Sequence, residues 1–280
     1  MSKTWSTVIK PKTGLFNIPI KEIQQYKGLI FTLVKRNYEV QYKQTILGPV
    51  WMIFGLIFSS GIFSFVFGRV GGFSSDGTPY FLFYMSGAIM WEFFSACFGS
   101  NTGVLMNNSY LYGKVYFPRL IMPIANVVFE AVRTGIKFLV CVVVWIFFFV
   151  QNEAQFMGAK MLFLIPIALG AALMGMSCGL IMSCLTIKYR DFNHLTGIAM
   201  SLLLYASPVL YSTSQLSESL QKVVYINPMS SYIEAFRYCM TGCGSVNGIA
   251  LIYSTVFTVA VTIIGLIMFN QTEKTFIDII

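Results

Sequence analysis

Residues 161 to 187 read MLFLIPIALGAALMGMSCGLIMSCLTI, without one charged side chain. No other kind of feature constrains the fold as much. A helix needs roughly 20 apolar residues to cross a hydrocarbon core about 30 Å thick, and within that core each backbone amide must be bonded inside the protein. Comparable runs begin near Pro49, Tyr80, Pro118 and Ile249. Only 11% of the 280 residues are charged and 56% are hydrophobic, whereas a soluble domain carries about 25% charged residues. The chain cannot cover itself with a water-compatible surface, and the runs are read as membrane spans.

The pattern predicts an all-α membrane protein with six transmembrane helices, at about 49–70, 80–105, 118–150, 161–187, 196–211 and 249–270. These make up one transmembrane domain, 46–280, behind an N-terminal arm, 1–45. The third segment is longer than one crossing needs, so its first turns are expected outside the hydrocarbon. In the arm, Ile20, Ile23, Ile30, Leu33 and Val34 fall on one helical face with lysines elsewhere, predicting an amphipathic helix at the membrane interface. An ordinary cytosolic helix packed on a partner is the alternative. Residues 213–247 hold two short helical patterns separated by Asn227-Pro228, with Asn as N-cap and Pro at the first helical position. They predict a re-entrant hairpin, which is tolerated where protein or a water-filled cavity covers it.

Six crossings put both termini on one side. Thirteen Lys and Arg fall in the arm, in the loops 106–120 and 188–195 and in the tail, against four (Arg69, Lys160, Lys222, Arg237) on the opposite side. Cytoplasmic loops collect Lys and Arg, which places both termini in the cytoplasm. The same bias explains the net charge of +8 without nucleic acid as a partner. The first 45 residues lack a short apolar h-region, so no signal peptide is expected. The six cysteines read as small buried hydrophobes, and spacing alone leaves open whether Cys239 and Cys243 are bridged.

Catalytic chemistry is missing. No G-x-x-x-x-G-K-[ST] occurs, there is one histidine, His194, and no metal-ligand cluster or nucleophile–base set can be assembled. The chain is expected not to be an enzyme and to hold no cofactor of its own. Its ionisable groups within spans are therefore notable. Glu92 lies midway along the second span and should face protein or water. Glu130, Arg133 and Lys137 recur at helical spacing along the third, with Glu130 and Arg133 placed to pair.

The stretch KRNYEVQYKQTILGPVW, 35 to 51, joins a basic, tyrosine-rich run to the first span. Arg36-Asn37, Tyr42, Thr45, Leu47-Gly48 and Trp51 resemble the start of bacterial ABC-2 type permeases that export polysaccharides. Three further segments are similar to that family in the same order: LYGKVYFPRLIMP at 111–123, Tyr189-Arg190-Asp191 with His194, and Asn227-Pro228-Met229. Asn37 stands where that family often has Asp.

The resemblance implies a homodimer paired with two copies of a separate nucleotide-binding ATPase, which would bind the ATP and Mg. It implies a bacterial cytoplasmic (inner) membrane location and a lipid-linked glycan as cargo: O-antigen, capsule or teichoic acid. By position, Tyr112, Lys114, Tyr116, Phe117 and Arg119, with Lys188, Arg190, Asp191 and His194, would couple to the ATPase. The basic stretch is read as where the substrate enters, through Arg36, Tyr38, Tyr42, Lys43, Thr45, Leu47, Gly48 and Trp51, because open amides at a helix start bind phosphate and cations attract anionic headgroups. Channel-lining candidates are Tyr84, Trp91, Glu92, Phe94, Tyr205 and Tyr211, since flat aromatic faces let a polymer slide. Two alternatives stay open: an ABC-2 exporter of a drug or lipid, and a flippase or scaffold that works without ATP.

Overall fold

A computed structural model describes residues 20–112, 117–155, 158–189 and 191–279. All regular secondary structure among them is helical: α1 (Ile20–Gln25), α2 (Lys27–Tyr42), α3 (Val50–Phe63), α4 (Tyr80–Thr102), α5 (Val104–Asn107), α6 (Ser109–Tyr112), α7 (Ile121–Val150), α8 (Leu164–Lys188), α9 (Phe192–Ala206), α10 (Glu218–Ile226), α11 (Pro228–Thr241) and α12 (Gly248–Ile279). A π-helical turn, Ser64–Val70, extends α3, and a 3-10 turn, Gly158–Phe163, leads into α8. Five of these stretches are long and apolar enough to cross a membrane: Val50–Val70, Tyr80–Thr102, Ile121–Val150, Gly158–Lys188 and Gly248–Thr272.

The sixth expected span is shorter than its apolar run. α9 has 15 residues, about 22 Å at 1.5 Å each. It stops at Ala206 because Pro208 disfavours helical geometry in the residue before it, and Ser207 is extended. The backbone beyond is irregular yet buried from Ser207 to Leu210. Its carbonyls are satisfied from within. The Arg237 guanidinium donates to Pro208 O at 2.6 Å and Val209 O at 3.4 Å, and the Tyr80 hydroxyl donates to Leu210 O. Irregular chain at membrane depth is stable only where such partners exist. At the other end of the chain, the expected polar tail continues as helix to Ile279.

α4 is the centre of the bundle. Of its apolar window 78% is buried, against 11% for α3 with its π-helical extension and 17% for α12. α8 lies against it through a ladder of small residues, Ala171, Gly175, Gly179 and Ser183, spaced four apart. A Cβ on Gly175 would sit 2.6 Å from Phe94 O, and one on Gly179 would sit 2.7 Å from Phe98 O. Small residues let helix backbones approach in a membrane, where no hydrophobic force drives helices together. Hydroxyls secure the lower end of the contact: Thr186 donates to Thr102 O at 3.3 Å, and Leu105 N donates to Ser183 Oγ at 3.3 Å.

α11 begins as its sequence predicts. Asn227 accepts from Met229 N at 3.1 Å, Pro228 opens the helix, and Gly242 closes it in the left-handed region at φ 74°. Twelve of its side chains are buried, among them Tyr232, Glu234 and Arg237, because α11 packs between α4, α8 and α12. α2 runs past Arg36 to Tyr42. Its apolar side chains Leu29, Ile30, Leu33 and Val34 pack with Leu120, Ile121 and Ala125 of the segment leading into and opening α7. That face is thus turned onto this chain's own bundle.

Candidate functional site

α3 and α9 are poorly covered by the rest of the chain. α3 buries only Leu56 and Ser60, and α9 buries nothing. Both touch α4, and two cavities open on either side of its Ser95. One, of about 430 Å³, lies between α3, α4 and α7 and is lined by Met52, Gly55, Glu92, Ser95, Arg133 and Lys137 among others. The other, of about 420 Å³, lies between α4, α5 and α9, with Gly99, Thr102, Asn107, Asn193 and Thr196 in its walls. Together they form a groove with α4 as floor and α3 and α9 as walls. Its lining mixes polar and apolar side chains, whereas its walls are apolar outside.

The charges along the groove are paired. Arg133 donates to Glu130 at 2.8 Å within α7, the spacing expected from the sequence. Lys137 reaches across to Glu92 of α4 at 2.5 Å. That second pair joins residues 45 apart in sequence, and periodicity within one helix gives no sign of it.

A chain of amides connects α2 to the same floor. Arg36 donates to Asn37 Oδ1 at 3.3 Å, and Asn37 Nδ2 donates to Asn126 Oδ1 at 3.3 Å. Asn126 Nδ2 then donates to Ser100 O at 2.9 Å and Asn101 Oδ1 at 3.4 Å. This accounts for asparagine at position 37. A carboxamide both accepts from Arg36 and donates to Asn126, whereas a carboxylate only accepts.

At the opposite end of α4, Asp76 accepts from Ser212 and from Ser214, the latter at 2.6 Å, and Glu234 accepts from Thr213 and from Tyr225, the latter at 2.7 Å. Burial first, and the neighbouring Glu234 carboxylate second, push the Tyr225 hydroxyl up to about 12, so it remains a donor. Arg237 lies 3.8 Å from the Phe83 ring centroid. This network fixes the 207–215 segment against the N-terminal end of α4.

The residues expected where substrate enters are arranged around the turn between α2 and α3. Tyr38 and Tyr42 stand on α2 with ring centroids 4.9 Å apart, and the Tyr42 hydroxyl contacts Met52 Sδ at 3.7 Å. Thr45 bonds back to Tyr42 O at 2.9 Å. Gly48 has φ 49°, a conformation that favours glycine, with nothing within 4 Å of a Cβ built there; its constraint is the turn itself. Arg36 is half-buried, and Lys43, Leu47 and Trp51 are exposed. The open amides expected at the start of α3 are occupied: Val50, Trp51 and Met52 donate to Leu47, Gly48 and Pro49 carbonyls at 3.0, 3.4 and 3.2 Å. A tight i→i−3 turn consumes the donors that a phosphate would use.

Of the channel-lining candidates, Glu92 and Trp91 border the first cavity, though Trp91 is only 6% exposed. Tyr84 and Phe94 are core side chains, Tyr84 stacked on Phe63 at 4.8 Å. Tyr205 is exposed on α9, and Tyr211 is half-buried beyond it. Among the coupling residues, Phe117 and Arg119 are buried, Lys188 lies 5.3 Å from the Tyr189 ring, and Asp191 and His194 are exposed at the start of α9. Lys114, Tyr116 and Arg190, and the side chain of Tyr112, lie outside the described residues. All six cysteines are free thiols, Cys239 and Cys243 included. Among the described residues no group of three His, Cys, Asp or Glu could hold a metal.

The sequence model of the ABC-2 type transporter family matches residues 28–241. Two O-antigen export system permease proteins RfbA of Klebsiella pneumoniae are 28% and 26% identical to this chain over 255 residues, 90% of this chain and 95% of each relative. An O-antigen export system permease protein RfbA of Myxococcus xanthus is 24% identical over 220 residues, 78% of this chain and 82% of the relative.

Proposed function

The chain belongs to the ABC-2 type transporter family, and from that premise we propose that it is the transmembrane subunit of an exporter of a lipid-linked polysaccharide. The cargo is an O-antigen, capsule or teichoic acid chain, moved across the bacterial cytoplasmic membrane. The reading rests on one observation above the others: similarity to O-antigen export permeases runs nearly end to end, through the turn before α3, the groove and α11 alike. ATP hydrolysis takes place in two copies of a separate ATPase subunit, and two copies of this chain close the groove into a path.

In this reading α9 with the buried segment after it is the sixth crossing, both termini are cytoplasmic, and α10 and α11 form a re-entrant pair on the outer side. α2 lies at the cytoplasmic interface, where Arg36 and Lys43 attract an anionic headgroup at about 1 kcal/mol per cation near the surface. Since the α3 amides are occupied, these side chains, with Tyr38 and Tyr42, carry the recognition. The glycan passes between α3 and α9. The loop residues Phe117, Arg119, Lys188, Asp191 and His194 receive the motion of the ATPase.

The test is deletion of the gene followed by analysis of lipid-linked glycan. The expected result is intracellular accumulation with loss of glycan from the cell surface. Normal surface glycan with a retained drug or lipid instead identifies another cargo, and recruitment of no ATPase by the purified protein overturns the exporter reading.

A further inference from the structure

The position of Glu92 marks a side of the bundle that does not face lipid. Glu92 is the thirteenth of 23 residues in α4, about 18 Å along the helix from its start. Its side chain is 39% exposed, while its partner Lys137 is 15% exposed. A half-open carboxylate at mid-membrane is costly against lipid and is found facing protein or water. The cavity it borders, between α3, α4 and α7, is therefore turned away from lipid, toward water or a second protein surface. The apolar outer faces of the same helices are the lipid side.

The chemistry of that cavity is specific. Lys137 is neutralised by Glu92, and Arg133 by Glu130. With no uncompensated cation, the cavity does not favour a phosphate or a uronate. It offers instead a carboxylate acceptor, cationic donors and the Ser95 hydroxyl side by side. Sugar hydroxyls are donors and acceptors at once, which matches this set. A volume of about 430 Å³ lies within the range of small-molecule sites, roughly 300–1,000 Å³. Gly55 leaves its wall open, with nothing within 4 Å of an added Cβ. Conduction needs contacts favourable enough to admit a ligand and weak enough to release it, which a neutral, paired site provides.

We propose that Glu92 is a saccharide-contacting residue of the translocation path, accepting hydrogen bonds from hydroxyls of a neutral sugar unit, with Lys137 as its positioning residue. This deepens the polysaccharide-export reading and rests on it. A pure helix clamp between α4 and α7 is the competing explanation, and the experiment separates the two. In cells carrying the full-length chain in place of the native copy, Glu92→Gln should lower surface glycan about tenfold or more at unchanged protein level, the effect of one charge-assisted hydrogen bond. The exchange Glu92→Lys with Lys137→Glu keeps an ion pair between the helices and moves the carboxylate to the less exposed position. It should keep the protein level and fail to restore export. Ser95→Cys should react with a membrane-impermeant sulfonated methanethiosulfonate, since a path for a hydrated glycan must admit water. Wild-type export by either Glu92 variant overturns the proposal. So does a Ser95→Cys thiol that only a lipid-soluble maleimide reaches. If Glu92→Gln fails to accumulate in the membrane, the exchange and the thiol reactivity decide. Labelling needs no cargo, so a deletion that leaves surface glycan unchanged refutes the exporter reading separately.

Discussion

α3 and α4 both cross the bundle, and they carry their polarity in opposite relation to their burial. α3 with its extension has a mean hydropathy of 2.1 and is 11% buried; α4 has 1.4, the lowest of the five spans, and is 78% buried. In a water-soluble protein the order would be reversed. Around a membrane span the surroundings are hydrocarbon, so apolar residues can face outward without cost, while Ser86, Glu92, Asn101 and Thr102 need the protein as their solvent. Low hydropathy in a span is thus a sign of centrality, and α4 is where the groove, the ion pair and both polar networks meet.

The largest expected effect comes from breaking the close approach that makes α4 central. Gly179→Leu would place a Cβ 2.7 Å from Phe98 O, a backbone atom that cannot yield. We expect no folded protein in the membrane fraction. The matched change on α3, Gly55→Leu, meets nothing within 4 Å and should leave the protein level unchanged. Comparable losses at both positions, read by fluorescence-detected size exclusion, would remove the contrast between the two helices.

Next in size is Arg237→Met. It keeps much of the side-chain volume and leaves the carbonyls of Phe83, Pro208 and Val209 short of their donor. A buried unsatisfied group costs about 1–3 kcal/mol, so the variant should unfold at clearly lower temperature in detergent. Gly87→Ala presses on the same guanidinium, 2.5 Å from its Nη2, and should weaken it in the same direction by less, since the end of a long side chain can shift.

Much of this was legible in the sequence, and the part that was not has a common cause. The apolar runs located all five long spans to within a few residues, and Asn227-Pro228 located the start of α11, because hydropathy and capping are local. The Glu130–Arg133 pair was legible for the same reason: both ends lie on one helix. The Lys137–Glu92 pair, the amides from Asn37 to Ser100 and the hold of Arg237 on Pro208 each join separate elements. No period announces them. The small-residue ladder of α8 did carry a signal, Gly175 and Gly179 four apart in an apolar run, which the composition of that run hid. Tyr84 and Phe94 suit a channel by chemistry, yet α4 turns them into the core, because helix rotation is set by neighbours and not by residue type.

A smaller effect is expected where α2 meets the floor. Asn126→Leu removes the link between Asn37 and Ser100 while leaving an apolar side chain at the α4–α7 contact. Interhelical hydrogen bonds in membranes average about 0.6 kcal/mol, so the loss of stability should be near 1 kcal/mol. Asn37→Leu added to it should cost little more, because both changes cut one chain; full additivity in thermal unfolding would show that the amides act independently.

The smallest effect on stability belongs to the outer face of α3. Phe58 is 58% exposed, its ring stacked on Phe54 at 5.6 Å. Phe58→Leu keeps the face apolar, and a substitution away from buried contacts usually stays within about 0.5 kcal/mol. Its value lies in separating two readings of an exposed wall. If α3 faces only lipid, glycan export is also unchanged. If α3 lines the path with α9, export falls while the unfolding temperature holds, since an aromatic face that lets a polymer slide has been removed without loosening the bundle. A drop in both would place a second protein surface against α3, because only a covered side chain contributes to stability when it is trimmed.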